Sequence, residues 1–81
     1  MLPRINDVRY VDGFTIHLWF SDGSEGEVDL ELELEGEIFK PLKDVSYFKS
    51  FTFNPELHTV TWTNGADFAP EFLYDKLKIS A

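Results

Sequence analysis

Residues 14–20 alternate strictly between large apolar side chains and others, and this stretch constrains the fold most. The apolar members are Phe14, Ile16, Leu18 and Phe20. Successive side chains of a strand point to opposite faces, so a period of two predicts a strand with one buried face. Turn signals flank it at residues 12–13 and 21–24, which predicts two further strands, at residues 5–10 and 25–30.

The first turn is expected to contain one extra residue. A loop made only of Asp12 and Gly13 would place Arg9 opposite Ile16, on the apolar face. Burial of an unpaired arginine there is unfavourable. We therefore expect a longer loop in which Gly13 supplies a positive φ.

The register of the second hairpin is predicted from the same reasoning. Pairing Leu18 with Val28 keeps both apolar sets inward. A slip of one residue would bury Glu27 and Asp29, so this register is favoured. The other pairs that it predicts are Ile16 with Leu30, Trp19 with Glu27, and His17 with Asp29.

Residues 31–35 alternate between Glu and Leu, which fits a strand, but both residue types also favour helices. Gly36 is a natural helix stop. We predict that the third strand ends near Leu30 and that a helical turn follows. Residues 51–53 and 59–62 are predicted to form a fourth and a fifth strand, paired antiparallel.

Residues 44–49 predict one or two helical turns, with Asp44 as the cap and with Val45 and Phe48 facing the core. A closing helix is predicted over residues 70–77. The expected fold class is α+β: a twisted antiparallel sheet of about five strands, with two or three short helices packed on one side.

Residues 60–74 predict the end of a strand, a tight turn and the start of a helix. Proline suits a first helical position because its missing N–H would be unpaired there. A carboxylate just upstream can accept loop N–H groups and interact with the helix dipole. We assign this segment, the Trp62–Tyr74 block, a packing role rather than a binding role. Its motif residues are Trp62, Asn64, Gly65, Asp67, Pro70 and Tyr74.

Composition bounds the function. A length of 81 residues indicates a single domain, and an apolar fraction of 43% is enough for one core. The absence of cysteine excludes disulfides and thiolate metal sites. A net charge of −8 with no basic face argues against direct DNA or RNA binding. No apolar run is long enough to span a membrane, so a cytoplasmic location is expected.

No motif predicts a catalytic, cofactor or metal site. There is no nucleophile motif, no phosphate-binding glycine loop and no metal-ligand spacing. Glu25, Glu27 and Asp29 could hold a hard cation, but a solvated strand face explains them more simply. An outward tryptophan beside these acids is more informative, because such residues mark interaction patches. The predicted interaction surface is His17, Trp19, Glu25, Glu27 and Asp29.

Several motifs resemble one bacterial family, DUF2442. They are Phe20-x-Asp22-Gly23, Val28-Asp29-Leu30, Gly36-x-Ile38-Phe39-x-Pro41-Leu42-x-Asp44, Phe48, and Trp62-x-Asn64-Gly65-Ala66-Asp67-x-Ala69-Pro70-x-x-Leu73-Tyr74. The resemblance covers almost the whole chain, as a single domain over residues 1–81. Thr63 departs from it, standing where a proline is common, and the acidic alternation over residues 31–35 is heavier than usual.

The resemblance implies a small α+β domain of unassigned function, without established catalytic residues. Some relatives carry a helix-turn-helix domain, and others are encoded beside a very small protein, as in toxin–antitoxin pairs. We therefore expect a non-enzymatic interaction module whose partner is a small basic protein, such as one encoded by a neighbouring gene. A homodimer is also compatible. The alternative is a small-ligand sensing domain. A carboxylate-dependent enzyme is a weaker third hypothesis.

Overall fold

The first sheet is an antiparallel meander of three strands. The computed structural model describes the backbone of residues 4–80 and the side chains of residues 4–77. The strands lie in the order β1 (Ile5–Asp12), β2 (Thr15–Phe20) and β3 (Glu25–Asp29). All three strands expected from the alternation are confirmed. β1 continues past Tyr10, however, and Phe14 lies in the turn rather than in β2.

The predicted extra residue is present, but as a bulge in β1 rather than in the loop, which contains only Gly13 and Phe14. Tyr10 pairs with Ile16, and a bulge at Val11 then lets Asp12 pair with Thr15. A second irregularity interrupts the pairing of β1 at its other end, between Ile5 and Asp7. Gly13 has a φ of 50°, as predicted. The bulge keeps the apolar side chains of both strands on one face.

The predicted register of the second hairpin is wrong by two residues. Leu18 pairs with Gly26 instead of Val28. The predicted pairs His17–Asp29, Trp19–Glu27 and Ile16–Leu30 are therefore replaced by His17–Glu27, Trp19–Glu25 and Ile16–Val28. A shift of two residues leaves every side chain on the same face, so the requirement for inward apolar groups could not exclude it.

The turn itself sets this register. The Phe20 N–H donates to the Ser24 carbonyl at 2.8 Å, and the Gly23 N–H donates to the Phe20 carbonyl at 3.1 Å. Gly23 has a φ of 91°. This is the three-residue hairpin loop with a left-handed glycine, which is tighter than the loop required by the predicted register.

The segment after β3 is helical in short pieces. A 3-10 turn at Glu31–Glu33 confirms the predicted helical turn, and a second one spans Lys40–Lys43. Helix α1 (Val45–Phe48) is capped by Asp44, whose Oδ1 accepts the Ser46 N–H at 3.0 Å. Phe48 is fully buried as predicted, whereas Val45 is 38% exposed and does not face the core.

The fourth and fifth strands are present but do not extend the first sheet. β4 (Thr52–Asn54) and β5 (Thr59–Thr61) form a separate two-stranded antiparallel sheet. The two 3-10 turns and α1 occupy the chain between β3 and β4, so β4 is not delivered to the edge of β3. The α+β class is confirmed, with a three-stranded and a two-stranded sheet in place of one five-stranded sheet.

Helix α2 (Pro70–Ser80) covers the apolar face of the first sheet. The Leu77 side chain lies against Gly26 of β3, in the space that a β-carbon at position 26 would occupy. The core combines residues from nearly every described segment: Ile5, Ile16, Leu18, Phe20, Val28, Leu30, Leu34, Leu42, Phe48, Val60, Trp62, Ala66, Phe68, Leu73 and Leu77. The opposite face of the first sheet stays outside this core.

Candidate functional site

The face of the first sheet opposite the core carries all five residues of the predicted interaction surface. Pairing places Trp19 beside Glu25 and His17 beside Glu27, with Asp29 at the end of β3. The three acids are exposed, whereas His17 and Trp19 are partly buried. We call this surface, together with Arg9 of β1, the outer face.

Trp19 is held between two neighbours on the outer face. The Arg9 guanidinium lies 5.6 Å from the centre of the Trp19 ring, a cation–π distance. The His17 ring lies 4.3 Å from it, centre to centre, at 49°. His17 Nε2 is in turn 3.2 Å from Glu25 Oε1. These contacts cross all three strands and fix the orientation of the indole.

Arg9 changes the electrostatic character that the sequence predicts for this surface. A tryptophan beside acids was expected, but the Arg9 guanidinium lies over the ring, although the residue that pairs with Trp19 in β1 is Asp7. The sequence contained the necessary signal, because the extra residue in the first hairpin places Arg9 opposite His17. The acids of β3 and Asp7 of β1 therefore flank Trp19, and the Arg9 guanidinium covers its ring.

The residues of the Trp62–Tyr74 block make contacts that pack the core, close a turn and start a helix. Trp62 is only 4% exposed, and its Nε1–H donates to the Phe48 carbonyl at 2.8 Å. Asn64 and Gly65 form the predicted turn, with the Gly65 N–H donating to the Trp62 carbonyl at 3.0 Å and a φ of 92° at Gly65. Pro70 opens α2 as predicted.

Asn64, not Asp67, is the side chain that organises this turn. Asn64 Oδ1 accepts the Ala66 N–H at 3.0 Å, and Asn64 Nδ2 donates to the Ile38 carbonyl at 2.8 Å. Asp67 is exposed, and within residues 4–77 its side chain makes no hydrogen bond. Its backbone forms an isolated β-bridge with Thr61 instead. The predicted capping by Asp67 is therefore wrong.

Tyr74 connects the block to the first sheet. Its hydroxyl donates to Asp22 Oδ2 at 2.7 Å, and its ring packs edge-on against Phe20 at 5.1 Å. This hydrogen bond, with a second one from the Ser24 N–H, holds the pKa of the Asp22 carboxyl below its ordinary value. The block thus fixes α2 to the turn between β2 and β3.

A cleft of about 380 Å³ lies beside the 3-10 turns and was not foreseen. Its lining combines apolar and charged side chains: Phe14, Glu31, Leu32, Leu34, Glu35 and Lys43. The alternation over residues 31–35 was a signal for it. Leu34 is buried, whereas Leu32 points outward and is 86% exposed. This cleft is a candidate binding site for a small molecule.

Comparison with known families matches the chain to one family model. The model described as a protein of unknown function, DUF2442, covers residues 5–78. The chain belongs to the DUF2442 family. Neither a curated protein nor a solved structure is significantly similar to it. The family assignment based on the motifs is thus confirmed, and it carries no biochemical function with it.

In this DUF2442 domain the Trp62–Tyr74 block has a role in folding. Trp62 and Asn64 bind backbone carbonyls of other segments, and Pro70 starts the helix that covers the sheet.

None of the helices described between residues 4 and 80 combines the length and the apolar character needed to cross a bilayer. The same residues bring no three His, Cys, Asp or Glu side chains together as metal ligands.

Proposed function

We propose that this DUF2442 domain is a non-enzymatic protein-interaction module whose outer face binds a small basic protein. The observation that supports this proposal is Trp19, a large side chain on the sheet face opposite the core. Tryptophan is one of the residue types enriched among the side chains that contribute most of the binding energy of protein interfaces. Nothing in the packing of the described core requires an indole at this position.

The neighbours of Trp19 suit it to binding. Arg9 and His17 restrict the ring, so little conformational freedom is lost when a partner covers it. Glu25, Glu27 and Asp29 are exposed along the adjacent strand. With a net charge of −8 on the chain, these acids attract a basic partner and favour its encounter with this face.

We further propose that the domain is the acidic half of a bacterial two-protein system of the toxin–antitoxin kind. The support is the family resemblance, which implies that some relatives are encoded beside a very small protein. Self-association through the outer face is less favourable, because it would bring the acids of two copies together. A basic partner neutralises them.

The test is the affinity for the protein encoded by the adjacent gene. Trp19→Ala should weaken binding by ~30-fold, equivalent to ~2 kcal/mol, because it removes the anchor. Leu57→Ala is the matched control, since Leu57 is 53% exposed but lies in the turn between β4 and β5. Unfolding should be measured for both variants. Intact binding by Trp19→Ala, or loss of the fold, would contradict the proposal.

A second candidate function is the sensing of a small ligand. The cleft beside the 3-10 turns supports it, because its volume of about 380 Å³ lies within the range of small-molecule sites. Ligand binding to the folded state raises the melting temperature. A screen of metabolites by thermal shift therefore tests this candidate independently of any protein partner.

A further inference from the structure

The cleft beside the 3-10 turns has walls from three separate parts of the chain. Phe14 comes from the turn between β1 and β2, Glu31 and Leu32 from the first 3-10 turn, and Lys43 from the second. Leu34 and Glu35 complete the lining. Opposite charges therefore approach the same volume from different segments.

The three charged groups of the cleft are not used by the fold. Ion pairs within the described residues join His17 to Glu25 and Lys76 to Glu33, and none involves Glu31, Glu35 or Lys43. All three are exposed, and their side chains make no hydrogen bond within residues 4–77. Two carboxylates and one ammonium are thus available to a ligand.

The apolar part of the cleft is equally available. Leu32 is 86% exposed, the largest exposure of any large apolar residue described. Phe14 is partly buried, and its ring packs edge-on against Phe48 at 5.3 Å, which fixes its position. A ligand with an apolar body would remove Leu32 and the open side of Phe14 from water.

We propose that this cleft binds a free α-amino acid with a large apolar side chain. Glu31 and Glu35 hold its ammonium group, and Lys43 holds its carboxylate. The side chain covers Leu32 and Phe14. This assignment rests on the second candidate function, the sensing of a small ligand, and names its ligand class.

Other ligand classes fit the same lining less well. An apolar amine would leave Lys43 facing a group of its own charge. An apolar carboxylate would meet Glu31 and Glu35, in a chain whose net charge is −8. Only a ligand with both charges uses all the available groups. The cleft volume, at the low end of small-molecule sites, also suits an amino acid.

The test is an NMR titration of the isotopically labelled protein with three probes. L-Phenylalanine carries both charges, L-phenylalaninamide lacks the carboxylate, and N-acetyl-L-phenylalanine lacks the ammonium. L-Phenylalanine should shift the amide signals of Leu32 and Lys43. Each of the other probes should bind at least ~10-fold more weakly, because one charged contact of ~1.4 kcal/mol is lost.

Two variants and their controls complete the test. Lys43→Gln should abolish the preference for L-phenylalanine over its amide, and Leu32→Ala should weaken both. Lys49→Gln and Leu57→Ala change exposed residues that do not line the cleft, so they should bind like the wild type.

The outcomes separate this proposal from the function on which it rests. Equal binding of all three probes at the cleft would overturn the amino-acid assignment and leave small-ligand binding standing. Absence of binding by every probe, with hits from a thermal-shift screen, would also overturn it. Signals of Leu32 that shift with protein concentration alone would show that a second copy covers the cleft, and the proposal would be wrong.

Discussion

Leu77 of α2 lies so close to Gly26 of β3 that a side chain at position 26 would have to displace the end of the leucine. Gly26 is paired with Leu18, so the contact joins helix and sheet across the middle of the core face. Leu77 itself is 9% exposed. The absence of a side chain at one strand position therefore sets how closely the helix approaches the sheet.

Gly26→Ala should destabilise the fold by ~1 kcal/mol, because the added methyl group must displace the end of the Leu77 side chain. Ordinarily glycine to alanine in extended backbone stabilises a protein by ~0.4–1 kcal/mol. The double variant Gly26→Ala/Leu77→Ala should be more stable than Leu77→Ala alone, because the added methyl group fills part of the space that the leucine leaves. A double-mutant cycle by urea denaturation measures this coupling. Additive effects would show that Leu77 does not restrict position 26.

The hydrogen bond from Tyr74 to Asp22 should make stability depend on pH. It is the largest cause of the lowered pKa of Asp22, so the folded state binds the proton more weakly than the unfolded chain does. The resulting stabilisation is present above the ordinary value of 3.8 and is lost as pH falls through the folded-state pKa.

Tyr74→Phe tests this dependence. Near neutral pH the variant should have a lower unfolding free energy than the wild type, by a constant amount. This difference should shrink below pH 3.8, as Asp22 becomes protonated in the wild type. Tyr47→Phe is the control, because the Tyr47 hydroxyl is 3.0 Å from Thr63 Oγ1, a neutral group. The deficit of Tyr47→Phe should not vary over this range. An invariant deficit for Tyr74→Phe would contradict the assignment.

Asn64→Ala should cost ~1–2 kcal/mol, because Asn64 joins the Ala66 N–H and the Ile38 carbonyl. Asp67→Ala should change stability by less than ~0.5 kcal/mol, as expected for a surface site without special contacts. Thermal or chemical denaturation of the two variants distinguishes them. The reverse order would mean that Asp67 caps the loop after all.

Association with a basic partner should slow as ionic strength rises, because salt screens exposed charges. Glu27→Gln removes one acid of the outer face. It should lower the association rate constant by a larger factor than it changes the dissociation rate constant. Glu56→Gln removes an exposed acid elsewhere, in the turn between β4 and β5. Stopped-flow kinetics of both variants should show the larger effect at position 27. Equal effects would indicate attraction by net charge alone.

The sequence was informative where the separation of polar and apolar side chains onto two faces decided the structure. The extra residue of the first hairpin followed from the need to keep Arg9 off the apolar face. The alternation over residues 14–20 correctly separated Trp19 from the core. The predicted residues of the outer face therefore lie on it, together with Arg9, whose position was implied by the register of the first hairpin, but their cross-strand neighbours were not predicted.

Features that depend on the geometry of a turn or on distant contacts could not be predicted in this way. Two registers that differ by two residues place every side chain on the same face of the sheet. The pairing of Leu18 with Gly26 was therefore missed. The role of Asn64 depends on the carbonyl of Ile38, which is far away in sequence. The cleft requires Phe14 and Lys43 to line the same volume, and no local pattern in the chain encodes that arrangement.

The two interruptions in the pairing of β1 have a consequence for self-recognition. β1 lies at an edge of the first sheet, where unpaired backbone groups can recruit a strand from another molecule. The irregularities between Ile5 and Asp7 and at Val11 bend this edge and break its ladder at both ends. A straight strand could follow it for only a few residues. The longest strand of the domain is thereby protected against edge-to-edge aggregation.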